Sequence, residues 1–145
     1  MNISVRYYTR TGNTEKLAVA IAESVGVQAK SVDVPLETKA DILFLGCSYY
    51  AFDVDEAVKK FILENKDNIK KIVCFGTSAM LGSTKKQVKK VANEAGVTVA
   101  DEEFHCYGSF GPMHKGRPND KDLKKAVEFA KKIVTVQPTS FAKSH

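Results

Sequence analysis

Tryptophan is absent from this chain, and cysteine, methionine, histidine and proline are scarce. The three cysteines, Cys47, Cys74 and Cys106, share no CxxC spacing and are odd in number. That argues against a disulfide framework and for a reducing, cytoplasmic setting. No run of about 18 apolar residues occurs, so no transmembrane helix and no membrane partner are expected. The opening residues, Met1 to Arg6, have no basic region followed by a long apolar run, so no signal peptide is expected. Internal repeats, low-complexity segments and linkers are also missing. Acidic charge is in deficit: 22 basic residues face 17 acidic ones, a net charge of +5. Such a balance can serve nucleic acid, a membrane surface or an acidic protein. The lysines come in pairs such as Lys59-Lys60, Lys85-Lys86, Lys89-Lys90 and Lys124-Lys125, on the outward faces of predicted helices. No aromatic residues interleave with them as a nucleic-acid surface requires, so no nucleic-acid partner is expected.

What is present is a regular alternation. The chain has 145 residues, 43% of them hydrophobic, which suits one domain with an ordinary core. Residues 2–8 are β-branched and aromatic and read as a strand. Leu17, Ile21 and Val25, with Ala18 and Ala22, give residues 14–25 one apolar helical face, and Gly26 is placed to stop it. Residues 28–34 read as a short polar strand ended by Pro35. Residues 41–46 form a nearly continuous apolar run, as in a strand covered on both faces. A helix follows over 54–63, a buried strand over 70–76, a helix over 83–95 ended by Gly96, and a strand over 97–107 that Asp101-Glu102-Glu103 is placed to interrupt. Asn119 reads as the cap of a last helix reaching about Val134, with Asp120 and Asp122 near its positive end. The domain is therefore assigned to residues 1–136, and residues 137–145 to a polar, frayed tail. The pattern predicts an α/β fold: a three-layer, doubly wound, five-stranded parallel sheet. The apolar strands belong in the centre and 28–34 at an edge, giving the order 2-1-3-4-5. Ligands in such sheets sit at the carboxyl ends of the strands where the order reverses, here between strands 1 and 3.

Three loops reach that place. The first is Thr9-Arg10-Thr11-Gly12-Asn13-Thr14, leading into a helix. A helix start offers unpaired N–H groups and a positive dipole end, three threonines add hydroxyls, and Gly12 lets the backbone curl around an anion or take a positive φ. The segment alone also suits a plain turn with a Thr or Asn helix cap, but three hydroxyls, a Gly and an Asn within six residues favour a phosphate loop, though neither a Walker A sequence nor GxGxxG. The second is Cys47-Ser48-Tyr49-Tyr50-Ala51-Phe52-Asp53, with rings on which a flat ligand can stack or which can cap the core. The third, Thr77 to Thr84, is small and supplies backbone amides or a helix cap. Together they suit a ligand with a phosphate at one end and a planar ring at the other.

On these residues the chain resembles the flavodoxin family, whose Thr/Ser-x-Thr-Gly-x-Thr loop is similar to Thr9–Thr14 directly after Tyr7-Tyr8. The resemblance spans about residues 1–134 and implies FMN. It implies that Thr9, Arg10, Thr11, Gly12, Asn13 and Thr14 surround the phosphate. It places Ser48, Tyr49, Tyr50, Ala51 and Phe52 at the isoalloxazine, and Thr77, Ser78, Ala79 and Gly82 at its pyrimidine edge. It further implies an electron carrier, a monomer or weak dimer, serving redox partner proteins. The chain is basic where the family is usually acidic, so an acidic partner is implied. It also lacks the frequent stacking Trp, and Gly is absent between Ser48 and Phe52. Two other readings stand beside the carrier. One is a flavin-dependent NAD(P)H:quinone-type reductase, for which no separate nicotinamide fingerprint occurs; the other is a flavin-free interaction module of the same fold. A phospho-receiver domain needs an acidic cluster after the first strand, and Thr9-Arg10-Thr11 offers none. No metal site is expected, since the neighbours His105 and Cys106 point to opposite faces of a strand. The cysteines are expected to be inert core residues, and the loop from Gly108 to Pro118, with His114, a long crossover in preference to a mobile cover for the site.

Overall fold

The computed structural model of the chain describes residues 1–48, 55–78, 83–109 and 114–143, with side chains described as far as Thr135. The described residues form five strands and four α-helices, alternating except that β3 follows β2 with no helix between: β1 (Ile3–Tyr7), α1 (Asn13–Ser24), β2 (Ala29–Ser31), β3 (Ile42–Ser48), α2 (Glu56–Asn65), β4 (Lys71–Ser78), α3 (Lys85–Ala95), β5 (Thr98–Tyr107) and α4 (Asp120–Lys143). Every strand pairing is parallel and the order is β2-β1-β3-β4-β5, as the strand hydrophobicities predict.

Strand periodicity builds the layers. Side chains alternate between faces, and β3 is buried along its whole length. Leu43, Leu45 and Cys47, with Ile72 and Cys74, meet Val58, Phe61 and Ile62 of α2 and Val88, Val91 and Ala92 of α3. Ile42 and Phe44, with Val5, Val73 and Phe75, meet Leu17, Ala18 and Ile21 of α1 and Ala126, Ala130 and Ile133 of α4. Burying each large side chain contributes about 1.5–3 kcal/mol. The cores therefore fix the register: a slip by one residue would turn every strand inside out.

Three boundaries differ from the sequence reading. The edge strand β2 is only Ala29–Ser31. Beyond it the buried Arg6 takes over: its guanidinium donates to the carbonyl oxygens of Val34 at 2.8 Å and Pro35 at 3.1 Å, so a β1 side chain holds the chain that leaves the sheet. The acidic run in β5 does not break the strand but bulges it, since Ile72 pairs with Val99 and Cys74 already with Glu103. The last helix does not end at Val134 but continues to Lys143. Polarity decides what a helix face packs against, not whether its backbone continues.

The start of α4 is held as its sequence predicts. Asn119 Oδ1 accepts from the Asp122 N–H at 3.0 Å, and Asp122 Oδ2 accepts from the Asn119 N–H at 2.9 Å, a reciprocal cap. Arg117 grips the same carboxylate with two bonds, at 2.5 and 2.7 Å. The Arg117 guanidinium, helped by the Asn119 N–H and opposed by burial, holds the Asp122 carboxyl below the usual carboxylate range. A depressed folded-state value means stability that is present above the unfolded value of about 3.9 and is lost as pH falls through the folded one. Asp122→Asn should therefore lower the thermal midpoint at pH 7 by about 3 °C. That gap should close as both proteins are titrated below pH ~3; a gap that stays constant to low pH would sink the assignment.

Candidate functional site

The order of strands reverses between β1 and β3, and the loop after β1 lies at that point. Gly12 precedes α1 with φ 87° and ψ −4°, in the left-handed region. A Cβ there would meet nothing within 4 Å, so the demand for glycine is conformational and not one of crowding. Thr9 Oγ1 accepts from the Gly12 N–H at 2.9 Å and folds the loop back on itself. Lys16 N to Gly12 O, at 3.3 Å, is the first bond of the helix. The N–H groups of Asn13, Thr14 and Glu15 precede it, so the helix gives them no acceptor. They stand at its positive end, where an anion is favoured.

The threonine hydroxyls take three different roles. Thr11 is exposed. Thr9 closes the loop but keeps its own O–H to donate. Thr14 is fully buried, and its hydroxyl lies 3.0 Å from Ser48 Oγ and 2.9 Å from Thr77 Oγ1. Ser48 and Thr77 are register partners at the carboxyl ends of β3 and β4, 3.4 Å apart through their hydroxyls. The first turn of α1 is thus bolted to both central strands, and Thr14 offers a phosphate only what these bonds leave of its hydrogen-bonding capacity. Gly46 admits this close packing, for a Cβ there would lie 3.0 Å from Thr14 Cγ2 and 2.4 Å from the Phe75 ring.

Two further contacts frame the loop. Asn13 is buried and its side-chain amide donates to the Ser109 carbonyl at 2.9 Å, so the connection after β5 is tied to the Thr9–Thr14 loop. Gly108 allows that approach: its Cβ would stand 2.9 Å from Asn13 Nδ2. Arg10, expected beside the phosphate, is paired with Asp55 at 2.8 Å. Asp55 is the N-cap of α2, and the Ala57 N–H and then Arg10 hold its carboxyl below the usual range.

Of the residues singled out by sequence, Thr9, Arg10, Thr11, Gly12, Asn13, Thr14, Ser48 and Thr77 come together here. Ser78 ends β4 beside them, and its carbonyl accepts from the Gly108 N–H at 3.2 Å. Tyr49, Tyr50, Ala51, Phe52, Ala79 and Gly82 lie outside the described residues, so the ring-facing part of the site is not described. Sequence reasoning missed the pairing of Asp55 with Arg10 and the contacts of Ser109 and Gly108, which join distant parts of the chain. The described residues of the Gly108–Pro118 loop add contacts that the sequence did not show. There His114, at φ 51°, stacks on Tyr107 with centroids 4.0 Å apart, and the Arg117 guanidinium lies 5.5 Å from the Tyr107 ring centre.

The other candidate residues are placed elsewhere. His105 Nε2 lies 3.0 Å from the Glu103 carboxylate, and burial pulls its pKa below the ordinary value despite that carboxylate. Cys106 faces the opposite core. Burial pushes the Cys47 and Cys106 thiols up to about 12 and Cys74 well above its ordinary value, which leaves them protonated and unreactive at neutral pH. Among the described residues no helix is long and apolar enough to cross a membrane.

Comparison with known proteins adds to this geometry. A family model described as a flavodoxin domain matches residues 4–115. An uncharacterized protein of Methanocaldococcus jannaschii is 27% identical over 135 residues, covering 84% of this chain and 90% of its own. Among solved structures, a flavodoxin from the domain Archaea superposes with a TM-score of 0.72 at 24% identity, over 90% of this chain and 94% of its own. A flavodiiron core from Synechocystis gives 0.74 at 17% identity, over 97% of this chain but 36% of the larger protein. A Lactobacillus acidophilus flavoprotein solved in complex with FMN gives 0.58 at 16% identity, over 72% of this chain and 92% of its own.

Proposed function

The chain belongs to the flavodoxin domain family, and from that premise we propose that it holds FMN at the switch point and serves as an electron carrier for protein partners. The observation that carries this reading is the loop from Thr9 to Thr14. Its left-handed Gly12 leads the chain directly into α1, so the open N–H groups at the helix start, the exposed Thr11 and the Thr9 hydroxyl are offered within one short loop. A phosphate dianion fits that donor set, and a neutral ligand would leave the helix end unused. Bound FMN supplies one- and two-electron chemistry.

The chain's own part is to seat and hold. Thr9, Thr11 and the amides of Asn13 to Glu15 bind the phosphate. The Thr14–Ser48–Thr77 hydroxyl cluster fixes the cradle to the sheet, so little ordering remains to be done on binding. Arg10 stands at the rim of the loop with its charge matched by the Asp55 carboxylate.

The test is an absorption spectrum of the purified protein before and after addition of FMN, with quenching of flavin fluorescence to give the affinity. A flavin band that stays with the protein, or saturable quenching at micromolar protein, supports the reading. Colourless protein that quenches nothing would overturn it and favour the flavin-free interaction module.

A further inference from the structure

One helix opens with the wrong charge for its dipole. Acidic residues stand in the first turns of α1 (Glu15), α2 (Glu56) and α4 (Asp120, Asp122), where they meet the positive helix end. α3 has no acid there and begins Lys85-Lys86. Its four lysines, Lys85, Lys86, Lys89 and Lys90, face a single acid, Glu94, so this one helix carries +3 where the whole chain carries +5. Lys85 is engaged, 3.3 Å from the Glu103 carboxylate and 3.2 Å from the Asp101 carbonyl. Lys86, Lys89 and Lys90 are exposed and, like Lys60 on α2, have no acidic partner among the described residues. α4, on the other face of the sheet, carries the same +3, six lysines against Asp120, Asp122 and Glu128, but spread over 24 residues where α3 has 11.

The excess charge borders a cavity. An open groove of about 710 Å³ runs between α2 and α3, lined by Lys59 on one side and by Lys86, Lys89, Lys90 and the acid Glu94 on the other, so four lysines face one carboxylate. The first turns of both helices follow the carboxyl ends of β3 and β4, so the groove begins at the end of the sheet that carries the candidate site. α3 is about 16 Å long at 1.5 Å per residue, so the whole patch lies close to that end.

We propose that the lysine face of α3, with its groove against α2, is the docking surface for an acidic protein that exchanges electrons with the flavin site. This rests on the flavin-carrier reading. Exposed lysines are compact, hydrated charges on flexible stems, which speed encounter and leave dissociation fast, as a carrier requires. Neither α3 nor the groove wall offers an arginine or an aromatic ring on which a base could stack, which weighs against nucleic acid as the occupant.

The experiment uses FMN-loaded protein and, as probe, a reduced acidic [2Fe–2S] ferredoxin. One electron leaves the cluster and enters the oxidised flavin, and stopped-flow absorbance reads the second-order rate constant. The rate should fall as ionic strength rises. At low salt the triple variant Lys86→Gln, Lys89→Gln, Lys90→Gln should be slower by about tenfold. The triple Lys124→Gln, Lys125→Gln, Lys131→Gln changes the net charge equally but on α4, and should stay within about twofold of the parent. Equal slowing by both triples, or by neither, would overturn the docking surface. So would tight binding of a labelled single-stranded RNA at 0.15 M salt that the α3 triple abolishes. If no FMN loads, the carrier reading itself fails. In that case titration of the unloaded protein with the same ferredoxin decides the surface alone: salt-sensitive binding lost in the α3 triple supports it, and no such binding overturns it.

Discussion

Thr11→Glu should weaken FMN binding about a hundredfold and leave riboflavin binding unchanged. Thr11 is the exposed threonine of the loop, so an acid there is solvated in the free protein and the fold is undisturbed. With FMN bound, the new carboxylate would stand beside a group carrying nearly two negative charges. At about 4–5 Å, in surroundings between bulk water and a protein surface, the repulsion amounts to roughly 2–3 kcal/mol. A hundredfold loss corresponds to about 2.7 kcal/mol. Riboflavin lacks the phosphate and is the internal control, so the quantity to measure is the ratio of the two dissociation constants from fluorescence quenching. A fall in that ratio of about a hundredfold places the phosphate at α1. Equal loss for both flavins would mean the substitution damages the ring site, and no loss would remove the phosphate from this loop.

The second large effect is on stability. Gly76→Ala should cost about 3 kcal/mol or more, read as the shift in denaturant midpoint at an unchanged m-value. Gly76 lies in β4, paired with Cys47 of β3 and His105 of β5. A Cβ would stand 2.0 Å from the Cys47 carbonyl oxygen and 3.4 Å from His105 Nδ1. The first obstacle is backbone of a central strand, which cannot turn aside as a side chain could. Gly96→Ala is the matched control. Its position at the end of α3 has φ 75° and open space around the missing Cβ, so it should cost only the left-handed penalty of about 1–2 kcal/mol. If the two variants lost equal stability, the crowding at Gly76 would have no weight.

These residues also mark how far sequence reading reaches. Gly76 stands in a run that reads plainly as a buried strand, and a glycine inside a strand signals a bulge or a close approach of backbone. The residue that approaches, Cys47, can be named only once β3 and β4 are in register. The same divide runs through the site. Gly12, the helix start at Asn13 and the Asn119 cap were legible because each acts within a few residues of itself. The meeting of Thr14, Ser48 and Thr77 was not, because those hydroxyls come from separate segments and appear in sequence as independent polar residues. Arg10 was expected beside the phosphate from its place in the loop; its pairing with Asp55 depends on where α2 begins in space.

The length of α4 and the bulge of β5 make the same point from the side of backbone structure. Polar residues after Val134 suggested an end, yet the helix runs on to Lys143 even past Pro138, which has no N–H to give the helix a bond. Three acids in β5 suggested a break, yet the strand absorbs them by bulging against β4.

The sequence by itself determined the layers, the strand order, the family and the place of the Thr9–Thr14 loop at the switch point, because hydrophobic periodicity and turn chemistry are local properties of the chain. Only the tertiary structure decided which hydroxyls face the open side and which bolt the helix to the sheet, which charges are paired and which remain exposed on α3, and which glycines are crowded. Those are matters of distance between segments far apart in sequence, and distance is set by the packing of the two cores against one sheet.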